Sequence, residues 1–144
     1  MKIKIFRVDK SLPLPKYETP GSFAFDLLAR EKTEIPPREV ALIPSNVIIQ
    51  CPDNLALKIL PRSSTFRKKS LLFPHSIGLI DQDYCGPEDE IMIQVLNFSD
   101  KAVIVERGER IAQGIFVRTE KIEFEEINEI THPSRKGFGS TDQK

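Results

Sequence analysis

Apolar side chains recur in this chain mainly at every second position, in short runs broken by turn residues. That period belongs to the β-strand, whose successive side chains point to opposite faces. Lys121-Ile122-Glu123-Phe124-Glu125-Glu126-Ile127 alternates most cleanly, and Lys2 to Val8 does so in part. Leu55-Ala56-Leu57-Lys58-Ile59-Leu60 reads as a buried strand, and Ile111 to Val117 as a further one. Glu90 to Leu96 is rich in β-branched residues, and Ala102-Val103-Ile104-Val105 follows it. Turn signals stand between them: Pro36-Pro37, Pro44-Ser45-Asn46, Cys51-Pro52-Asp53-Asn54, Asn97-Phe98-Ser99-Asp100 and Arg107-Gly108-Glu109. Many short strands with frequent turns predict an all-β chain, a sandwich or a barrel. Eleven prolines weigh against long helices. Only Ser63 to Ser70 has the look of a helix, a short one capped by Ser63 or Ser64 with Phe66 facing inward.

A chain of 144 residues is long enough for one domain with a real core. The 21 Lys and Arg balance 21 Asp and Glu, which argues against non-specific nucleic-acid binding, since that rests on a basic surface. Cys51 and Cys85 have no metal-ligand spacing, and His75 and His132 lie far apart, so no zinc site is expected. The two thiols are expected to be free in a reducing compartment. Met1 to Val8 reads as a strand rather than a signal peptide, and no apolar run approaches the roughly 20 residues that span a bilayer. The expectation is a soluble, cytoplasmic protein with no membrane partner. From Thr131 onward the chain is polar apart from Phe138 between two glycines. The division expected is a β domain over residues 1–130 and a mobile arm over 131–144.

Five segments carry candidate chemistry. In Gly78-Leu79-Ile80-Asp81-Gln82-Asp83-Tyr84-Cys85-Gly86, a carboxylate ends an apolar run, and such a group can be held as a base beside a ligand. Read alone, Asp81 and Asp83 equally suit a turn. Pro61-Arg62-Ser63-Ser64 joins a guanidinium, two hydroxyls and helix-start N–H groups, a phosphate cradle or a plain helix cap. Gln113 interrupts an apolar strand in Gly108-Glu109-Arg110-Ile111-Ala112-Gln113, either as a donor to phosphate or as an outward-facing position. Asp26 is a lone carboxylate in an apolar strand, costly to bury unless paired with a cation or an arginine. Arg135-Lys136-Gly137-Phe138-Gly139-Ser140-Thr141 gathers cations, hydroxyls and glycine backbone, able to wrap a terminal phosphate or simply to be solvated.

Taken in order, these five segments resemble the five motifs of the trimeric deoxyuridine triphosphatase (dUTP diphosphatase) family, with Arg110-Ile111-Ala112-Gln113 and Gly137-Phe138-Gly139-Ser140-Thr141 intact and the match running from about Pro20 to Thr141. The resemblance implies a jelly-roll-like, β-clip subunit, a homotrimer, and three sites each built from all three chains. It implies Mg²⁺-dependent hydrolysis of dUTP to dUMP and pyrophosphate, which limits uracil in DNA and supplies dUMP. It assigns Asp81 as the base that orients water toward the α-phosphorus and contacts the sugar 3′-hydroxyl. Tyr84 would pack on the deoxyribose, and backbone around Ile77, Gly78 and Ile80 would read the uracil edge. Arg62, Ser63, Ser64 and Gln113 would hold phosphates, and Asp26 would act through metal-bound water. Arg135, Gly139, Ser140 and Thr141 would clamp the outer phosphates while Phe138 stacks on the base.

The chain also departs from that pattern. Cys85 stands where the family usually has arginine, His75 where it has asparagine, Ala24-Phe25 where it has Gly-Tyr, and Asp142 where it has glycine. Pro87-Glu88-Asp89 reads as an insertion, and the Arg135 to Phe138 spacing is two residues shorter than usual. Two other functions suit the same fold: deamination of dCTP, which would need a catalytic glutamate, and a non-catalytic nucleotide sensor. Asp81, Tyr84, Arg62 and Gln113 in place favour the hydrolase.

Overall fold

The computed structural model describes residues 1–134. Eleven strands and one short helix follow in order: β1 (Lys4–Arg7), β2 (Phe25–Leu28), β3 (Thr33–Ile35), β4 (Val40–Pro44), β5 (Val47–Gln50), β6 (Leu55–Pro61), α1 (Thr65–Lys69), β7 (Leu71–Leu72), β8 (Gly78–Ile80), β9 (Met92–Asn97), β10 (Val103–Val105) and β11 (Arg110–Arg118). The all-β jelly-roll-like expectation holds. Every pairing is antiparallel, but the sheets stay open: β2-β11-β6-β8, β4-β9-β7, β10-β3 and β1-β5. Among the described residues no helix is long and apolar enough to cross a membrane.

β11 is the spine of the four-stranded sheet. It pairs β6 from Ala112↔Pro61 to Arg118↔Leu55 on one side, and β2 on the other, with Gln113 opposite Asp26 and Gly114 opposite Phe25. The fully buried Leu27, Ile35, Ile43, Leu57, Ile91, Ile93 and Val95 form the core between the sheets. Asn97 is a polar residue buried with them. It donates from Nδ2 to the carbonyls of Ile35 (3.0 Å), Pro36 (3.1 Å) and Lys101 (2.8 Å), and its Oδ1 accepts from the Ser99 N–H and hydroxyl. Those bonds offset its desolvation and tie β3 to β9.

Two expectations fail. Lys121 to Ile127 forms no strand. β11 has run off its neighbours by then: its last partner on β6 is Leu55, the first residue of that strand. Ile122 and Phe124 are left 71% and 89% exposed. Phe66 does not face inward either. It is 49% exposed and leans on Phe98 at a ring separation of 6.3 Å. The helix does start where expected, but Ser64, its N-cap, makes no side-chain cap bond.

The tightest packing in the spine is at Gly114, where an added Cβ would stand 2.5 Å from Cζ of Phe25. Phe25 is itself gripped by Tyr17, edge-on at 6.0 Å, and by Phe116 at 5.8 Å. It cannot yield without moving β2. Gly114→Ala should therefore destabilise the fold by about 1–3 kcal/mol. A thermal midpoint equal to that of the wild type would contradict this packing.

Candidate functional site

Five of the expected residues converge where β2, β11 and the end of β6 meet. Asp26, on β2, lies opposite Gln113 on β11, and Gln113 lies opposite Leu60 on β6. Antiparallel register thus brings three distant segments together. The Asp26 side chain is only 12% exposed and pairs with Arg62 at 2.8 Å and Arg110 at 3.3 Å. Its burial is compensated by these two guanidinia. Arg110 also reaches Glu18 at 3.0 Å. Arg62 donates to the Arg110 carbonyl at 3.2 Å, and Gln113 Nε2 donates to the Pro61 carbonyl at 3.0 Å. Ser63 is exposed and Ser64 half-buried beside them. A cavity of about 340 Å³ opens next to this cluster, lined by Leu12, Pro15, Lys16, Glu18, Asp26 and Arg110.

Thr65 and Arg110 are members that sequence reasoning missed. Thr65 is buried; its Oγ1 accepts from the Arg62 N–H at 3.2 Å and donates to the Ile111 carbonyl at 3.0 Å. It pins the start of α1, and with it Arg62, onto β11. A threonine directly after two serines gives no hint that it, rather than they, does the tying. Arg110 was visible only as part of its motif, because the strand position that aims it at Asp26 appears only once β2 and β11 are paired.

The other expected group lies elsewhere. Gly78 and Ile80 belong to β8, an edge strand whose single neighbour is β6, with Leu57 opposite Ile80 and Ile59 opposite Gly78. Ile77 precedes it and Asp81 ends it. Asp81 lines a pocket of about 540 Å³ with Leu79, Ile80, Gln82, Asp83 and Lys121. Tyr84 follows in the same turn, its N–H donating to the Asp81 carbonyl at 3.3 Å. Asp81 stands beside Ala56 on β6 while Arg62 follows Pro61 at the other end of that strand, so a rise of about 3.3 Å per residue puts the two groups roughly 20 Å apart. One chain therefore does not join Asp81 and Tyr84 to Asp26, Arg62, Ser63, Ser64 and Gln113. Arg135, Phe138, Gly139, Ser140 and Thr141 lie outside the described residues.

Among the described residues no group of three or more His, Cys, Asp or Glu side chains is placed to hold a metal ion. Cys51 and Cys85 are both free, and burial pushes the Cys51 thiol above its usual range, keeping it protonated.

The chain is thus all-β, with a cationic group and a carboxylate group near opposite ends of one strand. The dUTPase family profile matches residues 10–142. The deoxyuridine 5′-triphosphate nucleotidohydrolase of Dictyoglomus turgidum is 37% identical over 98% of each chain. That of Helicobacter pylori strain P12 is 38% identical over 98% of this chain and 97% of its own. The crystal structure of dUTPase from Streptococcus mutans superposes with a TM-score of 0.77 at 33% identity, over 83% of this chain and 98% of that one. The chain belongs to the dUTPase family.

The Thr65 bridge gives a direct test of how this site is held. Thr65→Val keeps the shape and removes both hydrogen bonds, leaving a buried N–H and carbonyl unpaired. It should cost about 1–3 kcal/mol, read from the urea midpoint at unchanged slope. No loss would mean that Thr65 does not hold Arg62 to β11.

Proposed function

We propose that the protein hydrolyses dUTP to dUMP and pyrophosphate, in sites that copies of the chain build together. The reading is carried by one observation: a dUTPase-family chain carries both groups of motif residues, Asp81 with Tyr84 and Asp26 with Arg62 and Gln113. The edge of β8 left without a neighbour supports base recognition. Its backbone N–H and C=O groups can pair with the uracil edge as they would with another strand. Tyr84 would pack on the 2′-deoxyribose. On a second copy, Arg62, Ser63, Ser64 and Gln113 would hold the phosphates by charge-assisted and neutral hydrogen bonds. Arg135, Gly139, Ser140 and Thr141 would close on the outer phosphates, and Phe138 on the base.

In the reaction, Asp81 takes a proton from water as its oxygen bonds to the α-phosphorus. The bond from that phosphorus to the oxygen bridging the β-phosphate breaks, and the electron pair leaves with pyrophosphate. Arg62 shares its charge with Asp26 in the free chain, and the phosphates would compete for it. The donor set fits Mg²⁺ carried in by the nucleotide. Asp26 is the one carboxylate at the centre of the phosphate cluster, and Mg²⁺ takes most of its oxygens from phosphate and water. Bound there, the ion would neutralise phosphate charge.

Assembly as a homotrimer is supported by apolar surface with no cover in one chain. Val40, Leu42 and Met92 are exposed on β4 and β9, and Ile122 and Phe124 are exposed beyond β11. Contact between copies would cover these groups. Free thiols suit the cytoplasm, where dUTP hydrolysis would serve.

Asp81→Asn keeps the size of the side chain and removes the proton acceptor. Turnover of dUTP should fall roughly 10²–10⁴-fold, while a non-hydrolysable dUTP analogue should bind within about an order of magnitude of wild type. Pyrophosphate release at near-normal rate would refute Asp81 as the base.

A further inference from the structure

The loop from Asp81 to Glu90 belongs to no strand, yet it is tied at every few residues. The Cys85 N–H donates to the Asp83 carbonyl at 3.0 Å, and the Asp89 N–H to the Gly86 carbonyl at 3.2 Å. The Gly86 N–H donates to the Asp89 carboxylate at 2.6 Å. Its far end is anchored harder. The Glu90 carboxylate accepts from Arg30 through Nε at 2.9 and 3.1 Å and through Nη2 at 2.9 Å, and from the Asn46 N–H at 2.6 Å. Asn46 is itself buried and exchanges two bonds with Asp9. The bond to Glu90 raises the Arg30 pKa, so the guanidinium stays charged. Across this anchored loop the Tyr84 hydroxyl donates to the Glu90 carbonyl at 3.1 Å.

That bond fixes the ring at both ends. Its Cβ is held by the turn after Asp81 and its hydroxyl by the best-anchored residue of the loop, while the side chain stays 37% exposed and open to a ligand. Rigidity matters for selection by exclusion. A ring free to swing would move aside for an extra hydroxyl at the modest cost of a rotamer change, and a fixed ring cannot.

We propose that the Tyr84 hydroxyl, the Glu90 carbonyl and the Arg30–Glu90 pair form a latch that sets how strongly the site rejects a ribonucleotide. Arg30 and Glu90 are positioning residues that act through Tyr84. The inference rests on the reading that Tyr84 packs on the sugar. It concerns what holds the ring rather than the ring's contact, and Pro87-Glu88-Asp89 supplies the chain length that returns Glu90 to the tyrosine.

The test compares kcat/KM for dUTP and UTP in the full chain. Tyr84→Phe keeps the ring and removes the tether. The dUTP/UTP ratio should fall about threefold to tenfold, the range that one hydrogen bond supports, with UTP gaining relative to dUTP. Arg30→Lys, which loses the bidentate geometry, should lower the ratio in the same direction. In a Tyr84→Phe background it should lower the ratio no further, because the tether it acts through is gone. A Tyr84→Phe enzyme with the wild-type ratio would overturn the latch. So would an Arg30→Lys change that lowers the thermal midpoint and leaves the ratio alone, which is what a purely structural pair would do. A wild-type enzyme that hydrolyses dUTP and UTP alike would instead refute the placement of Tyr84 on the sugar, before the latch comes into question.

Discussion

The length of β6 is the constraint on which the rest of this structure depends. The strand pairs β11 along its whole length on one edge and β8 over Leu57 to Ile59 on the other, which fixes its register. It carries the Asp81 hairpin at one end and Arg62 at the other, roughly 20 Å apart by strand rise. A nucleotide triphosphate whose sugar and α-phosphorus meet Asp81 and Tyr84 cannot have its phosphates held by Arg62 of the same chain in that position. The two groups differ in kind as well as in place. One offers a free backbone edge, an aromatic ring and a carboxylate; the other offers guanidinia, hydroxyls and an amide.

The cationic half is also organised before any ligand arrives. Asp26 takes both Arg62 and Arg110, Glu18 takes Arg110 again, and Thr65 fixes the backbone that carries Arg62. Two carboxylates face two guanidinia there, and Lys16 also reaches Glu18 at 3.9 Å. In the proposed function these donors would hold phosphates by their aim as well as by their charge. Preorganised donors lose little side-chain freedom on binding. The hairpin half follows the same logic through Glu90, whose clamp by Arg30 and Asn46 reaches Tyr84 without touching the pocket.

Much of this was legible in the sequence, and the rest failed for identifiable reasons. β6, β10 and β11 were plain because their apolar patterns match what each buries. The partners of Asp26 were not, since Arg62 and Arg110 reach it only through strand register. β3, β4 and β5 escaped notice because prolines and lone polar residues break their patterns into pieces of three to five residues. Phe66 misled because an aromatic in a short helix was assigned to the core, whereas its place is on the surface beside Phe98. Lys121 to Ile127 has the strongest strand pattern in the chain and no strand, since pattern reports what a segment could bury and not whether its own chain supplies the neighbour. The order of the motifs spoke for a dUTPase, but only the register separated their residues into two groups.

Complementation between inactive variants tests the shared site most directly. Arg62→Ala disables the phosphate half and Asp81→Asn the hairpin half, and neither should turn over dUTP appreciably alone. Co-expressed in equal amounts, they should form mixed assemblies in which an Arg62→Ala copy lends its intact Asp81 to an Asp81→Asn copy that lends its intact Arg62. In a cyclic homo-oligomer with random mixing, roughly one quarter of the sites then hold both functional halves, and pyrophosphate release should recover to about that fraction of wild type. A mixture no more active than either variant, in assemblies shown to contain both chains, would contradict a site built across copies.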